Sequence, residues 1–146
     1  MTINPFTKRT HERRTLSRPR KTRGVAAAEL AVCLPLVVLL VVGSIEACSA
    51  IFLKQSLTVA AYEGVRTAIS NNATAATVQA ACNQVLTDRR VAGATVTVSP
   101  ANIPALNPGD YVNVTITAPC SSNSVVPTSF YRGRSLSTTA SMMIEN

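Results

Sequence analysis

The side chains able to carry covalent chemistry are few and badly spaced for it. The chain has one histidine, four cysteines and seven carboxylates in 146 residues. His11 lies in a basic N-terminal tail, so neither a Ser-His-Asp triad nor a Cys-His pair can be assembled in the rest of the chain. Cys33, Cys48, Cys82 and Cys120 never approach the Cys-x-x-Cys spacing of a zinc or redox site. The six glycines form no phosphate-binding loop. Asp110, in Pro108-Gly109-Asp110, suits a turn into a strand better than a catalytic pair. The expectation is therefore a protein with no catalytic residues, no metal and no cofactor. Cys82 and Cys120 could bridge in an oxidising compartment, closing a loop of roughly 40 residues for about 3–4 kcal/mol. Spacing alone leaves their geometry, and hence the bond, open. Cys33 and Cys48 read as small hydrophobes packed away from water.

Charge explains what the chemistry does not. Up to Gly24, Lys8, Arg9, Arg13, Arg14, Arg18, Arg20, Lys21 and Arg23 face Glu12 alone, which accounts for the whole net charge of +7. Beyond Gly24 six bases balance six acids. A basic tail can neutralise nucleic-acid phosphates, but this one sits directly before an apolar segment, where Lys and Arg hold a flank in the cytoplasm. Nucleic acid is therefore not expected as a partner; a lipid bilayer is.

The elements that position these residues follow from periodicity. Residues 1–23 carry Pro5, Pro19 and many charges with no apolar period, so no packed structure is expected there. Residues 25–45 make a run of about 31 Å as a helix, the thickness of a bilayer's hydrocarbon. Within it Pro35 predicts a kink. The helical pattern continues to Ser70, with no proline and two stripes: Phe52, Gln55, Val59 and Tyr62, then Leu53, Leu57, Ala60, Gly64 and Ala68. The second stripe suits either packing between subunits or seating against the chain's own sheet. Glu63 and Arg66 are spaced for an ion pair. Residues 74–86 predict a second helix, with Asp88 and Gly93 beyond its end. Residues 94–99, 111–118 and 135–144 alternate with period 2 and predict strands. The fold class is α+β: a long N-terminal transmembrane helix continuing into a small C-terminal domain with a short helix and an antiparallel sheet of at least three strands, one face on the helix. The domain boundaries expected are 1–24 for a cytoplasmic leader, 25–45 for the span and 46–146 for the exported part.

Competing export signals place a cut differently. A conventional signal peptide would be cut near Ala47 or Ala50 and release a secreted or periplasmic binding domain. Arg13-Arg14 is a poor twin-arginine signal because of the charged spacer behind it. A lipoprotein signal at Cys33 would put the apolar run on the wrong side of the cut. The fourth place is Gly24, before the run. Arg23-Gly24 with Glu29 at the fifth mature position resembles the class III signal of type IV pilins and pseudopilins, whose basic leader a membrane prepilin peptidase removes. Together with Val25-Ala26-Ala27-Ala28-Glu29, Leu34-Pro35, Ile45-Glu46 and the stretch running from Ser56 to Arg66, residues 23–66 resemble the TadE-like family of tight-adherence pilus assembly proteins.

That resemblance implies a minor pseudopilin assisting assembly of a Flp-type type IV pilus. Leu30 stands where the major pilin often has tyrosine, and an ~80-residue tail, long enough for a small domain, follows the helix. Both point away from the main filament subunit; the front end is also shared with TadF- and TadG-like proteins. The implied processing site is Gly24-Val25. Glu29 is implied to pair with the α-amine that cleavage exposes on Val25, its own or a neighbour's. The implied partners are a prepilin peptidase, the inner-membrane pilus secretion platform and other pilins or pseudopilins. The implied location is the bacterial inner membrane, crossed once with the N-terminus inside.

Overall fold

The computed structural model describes residues 22–125 and 133–145. In chain order these form α1 (Thr22–Ala68), α2 (Ala75–Asp88), β1 (Thr95–Ser99), a single 3-10 turn (Ile103–Ala105), β2 (Tyr111–Pro119) and β3 (Ser135–Met143). The architecture is α+β, as the periodicity predicts. Two compact units divide the chain after Val37. The described part of the first is the opening of α1; the second holds the rest of α1 and the other described elements.

Helix α1 runs through Pro35 and needs no help from capping to satisfy its hydroxyls. Ser44, Ser49, Ser56, Thr58 and Thr67 each donate to the carbonyl four residues back, at 2.8–2.9 Å. This back-bonding lets Ser56 sit fully buried without an unpaired donor. Arg66 and Glu63 form the expected i, i+3 pair at 3.6 Å on an exposed face. Beyond Ala68 the chain leaves the helix through a turn in which Asn72 takes φ +62, a left-handed conformation asparagine tolerates.

Helix α2 starts on a reciprocal cap. Thr74 Oγ1 accepts from the Thr77 N–H at 3.2 Å, while Thr77 Oγ1 accepts from the Thr74 N–H at 2.9 Å, an arrangement contributing about 1 kcal/mol. Its buried face is Val78, Cys82 and Leu86, one residue per turn. The helix ends later than expected, because Asp88 is still helical. Arg90 N–H to Thr87 O and Val91 N–H to Leu86 O, both 2.9 Å, close the last turn, and Arg90 takes φ +55. These bonds are those of a Schellman stop, with arginine where glycine is usual.

The three strands form one antiparallel sheet in the order β1-β2-β3. Registers of Val98 with Val114 and Val96 with Ile116 on one side, and Ala140 with Val114 and Thr138 with Ile116 on the other, put like residues on like faces. Val112, Val114, Ile116 and Ala118 of the central strand are fully buried. The opposite face is polar: Thr115 and Thr139 share a hydroxyl hydrogen bond of 2.8 Å, and the Thr117 hydroxyl donates to Ser137 Oγ at 3.0 Å. Before β2, Gly109 at φ +97 makes the turn, and its N–H donates to Ile144 O at 2.9 Å. Asp110 Oδ2 accepts from the Asn107 N–H, the turn role expected of it.

The core lies between the inner face of the sheet, α2 and the second half of α1. On α1 the buried apolar residues are Leu53, Leu57, Ala60, Ala61, Val65 and Ala68, with Gly64 among them, whereas Phe52, Val59 and Tyr62 are exposed. The small-residue stripe is thus seated on the chain's own sheet and α2. Gly64 shows why small residues are needed: a Cβ there would meet Cys82 Sγ and, at 3.1 Å, Val114 Cγ1. Lys54 adds a polar tie, donating to Ser137 O of β3.

Candidate processing and assembly site

Gly24, Val25 and Glu29 occupy the first turns of α1, and all are exposed. Four residues separate Val25 from Glu29, which is one turn and about 6 Å of rise, so the two lie on the same side of the helix. Among the described residues the Glu29 side chain has no ion pair or hydrogen bond. The helix around it is apolar on every side: Leu30, Val32, Leu34, Leu36 and Leu39 all expose more than half of their surface. The most apolar 18-residue window has a mean hydropathy of 2.7, and none of it is buried against the rest of the chain. A helix that is hydrophobic all round and uncovered suits a lipid solvent. It is long and apolar enough to cross a membrane once. The upstream residues 1–21, with the basic leader and His11, lie outside the described residues.

At the other end of the apolar run the structure places a carboxylate whose burial the sequence reading missed. Glu46 is only 4% exposed. Its Oε2 accepts from Ser124 Oγ at 2.8 Å, and Oε1 has no hydrogen-bond partner among the described residues. The loop that supplies Ser124 is anchored by Asn123: its Nδ2 donates to Ala92 O and Pro119 O, and its Oδ1 accepts from the Ala92 N–H, at 2.8–2.9 Å. A signal was present, because Glu46 continues the buried stripe backwards, seven residues before Leu53. Its charge argued for the surface instead.

The cysteines fall into a buried pair and an exposed pair. Cys82 and Cys120 are both buried, but both are free thiols. Cys82 faces Gly64, whereas Cys120 lines a small cavity with Glu46, Ala50 and Leu53. Cys33 and Cys48 are exposed rather than packed away, because they lie on stretches of α1 that the domain does not cover.

Burial, with a smaller contribution from the Glu63 charge and against the pull of a backbone hydrogen bond, pushes the Cys82 thiol up from 9.0 to about 11. The neutral thiol is therefore the form the fold accommodates. The unfolded chain loses this proton first, so the contribution to stability is complete below pH 9.0 and lost as pH rises towards about 11. Cys82 is expected to resist alkylation at pH 8 until the chain unfolds. Denaturant midpoints should fall more steeply from pH 9 to 11 in the parent than in Cys82→Ala; equal slopes would refute the assignment.

What these features define is a chain with one bilayer-length apolar helix that continues into the core of a small α+β domain. The TadE-like protein family model matches residues 24–66, from the glycine before the apolar run to the last turns of α1. This is the family the sequence motifs resemble, matched over less than a third of the chain. No curated protein and no solved structure matches.

Proposed function

We propose that this protein is a minor pseudopilin that assists assembly of a Flp-type, tight-adherence type IV pilus, acting as a structural component and not as an enzyme. The observation that carries this reading is the start of the family match at Gly24, the residue at which Arg23-Gly24 and Glu29 set the class III cleavage pattern. A prepilin peptidase would remove residues 1–24 at the cytoplasmic face, residues 25–45 would stay in the inner membrane, and residues 46–146 would stand outside it. The partners are then the peptidase, the inner-membrane secretion platform and other pilins or pseudopilins. A conventional signal-peptide cut near Ala47 would part Glu46 from Ser124, which supports the cut upstream.

N-terminal sequencing of the mature protein tests the proposal. A first residue of Val25 supports it; a start near Cys48 or Ile51 would leave no membrane helix and end it. Glu29 is assigned the pairing role with a Val25 α-amine. Because the exposed Glu29 side chain has no hydrogen bond or ion pair among the described residues, Glu29→Ala is expected to insert and fold normally while piliation falls severely. Wild-type pilus numbers in that variant would remove the pairing role.

A further inference from the structure

Where the apolar run of α1 gives way to the domain, a groove of about 610 Å³ opens between α1, the end of α2 and the loop after β2. Its walls include Ile45, Cys48, Phe52 and Val125, and Arg89 and Arg90 line it from the end of α2. Ile45, Phe52 and Val125 are 41%, 54% and 77% exposed. Arg90 sits at φ +55, in the position of a helix stop that glycine fills without steric cost. The chain instead carries an arginine there, and it lines the groove. Neither arginine forms an ion pair among the described residues. The adjacent acid, Asp88, accepts from Gln84 Nε2 at 3.0 Å and does not line the groove.

Depth supplies the other half of the argument. Ser44 and Ile45 line the groove and also close the apolar run of residues 25–45 expected to cross the bilayer. The groove therefore falls at the level where hydrocarbon meets headgroups, the place where arginines meet lipid phosphates and apolar side chains meet acyl chains. We propose that this groove binds an anionic phospholipid of the leaflet facing the domain, with the phosphate at Arg89 and Arg90 and an acyl chain along Ile45, Phe52 and Val125. The inference rests on α1 crossing the bilayer, and not on the pilus role.

The test uses the full chain carrying Cys33→Ser, labelled at exposed Cys48 with an environment-sensitive fluorophore, in nanodiscs that hold one copy each. As phosphatidylglycerol replaces phosphatidylcholine, emission should shift to shorter wavelength and saturate. Arg89→Gln with Arg90→Gln should need roughly thirtyfold more anionic lipid, about fivefold per lost charge. Arg90→Gly removes one guanidinium while relieving the backbone, so it should melt no lower than the parent yet need about fivefold more lipid. Incorporation into discs reads the span separately. An unchanged titration in these variants would overturn the proposal. So would an equal shift in pure phosphatidylcholine or with soluble glycerol phosphate, or a shift that follows copies per disc and so places a second copy in the groove.

Discussion

If the proposed cut after Gly24 is made, Gly24→Trp is expected to leave the chain at its full length, still carrying residues 1–24, in cells that process the parent. The position is favourable for this experiment because a Cβ at Gly24 meets nothing within 4 Å. A bulky residue on that open turn disturbs no packing, and in a helix it has a higher propensity than glycine. Lost processing would therefore report on the peptidase's recognition of the bond and not on folding. Without the cut no α-amine appears at Val25, so the variant should also lose pili, as is expected of Glu29→Ala, but from a precursor rather than a mature chain. Comparing the masses of the two variants by immunoblot separates the two steps. Normal processing of Gly24→Trp would place the cut elsewhere and remove the basis of the pseudopilin assignment.

The second large effect is expected inside the domain. Gly64→Ala should destabilise the folded chain by about 1–3 kcal/mol even though alanine is the better helix former by about 1 kcal/mol. Packing wins because neither neighbour can yield: Cys82 and Val114 are both fully buried, and the new methyl would fall on Cys82 Sγ and 3.1 Å from Val114 Cγ1. Removing the sulfur should restore the space. Cys82→Ala alone leaves a small cavity, but combined with Gly64→Ala the two costs should not add, with a favourable coupling of about 1 kcal/mol or more in a double-mutant cycle. Strict additivity of the two, measured by denaturant unfolding of the detergent-solubilised chain, would show that this contact does not limit the approach of α1 to α2.

Much of the domain is legible because its signals are local. The alternation of Val112, Val114, Ile116 and Ala118 against Tyr111, Asn113, Thr115 and Thr117 states a half-buried strand outright, and its neighbours follow. Thr74 ahead of Ala75 marks a helix start, and the structure adds that Thr77 completes the cap. The end of α2 was misplaced because Asp88 resembles a breaker; the real stop is a left-handed Arg90, which no propensity suggests. Two stripes on α1 were visible, but either could have faced the core.

Sequence by itself determined the charge boundary at Gly24, the bilayer-length run behind it, the lone carboxylate at Glu29 and the period of every strand. These are properties of residue type and spacing along one chain, and periodicity reads them directly. Only the tertiary structure decided which stripe of α1 is core, that Glu46 is buried against Ser124, that Cys82 faces Gly64 while Cys120 lines a cavity with Glu46, and that Arg89 and Arg90 share a groove with Ile45 and Phe52. Each of these depends on pairs far apart in sequence, whose meeting is set by how closely the small residues of α1 let its backbone approach α2 and the sheet.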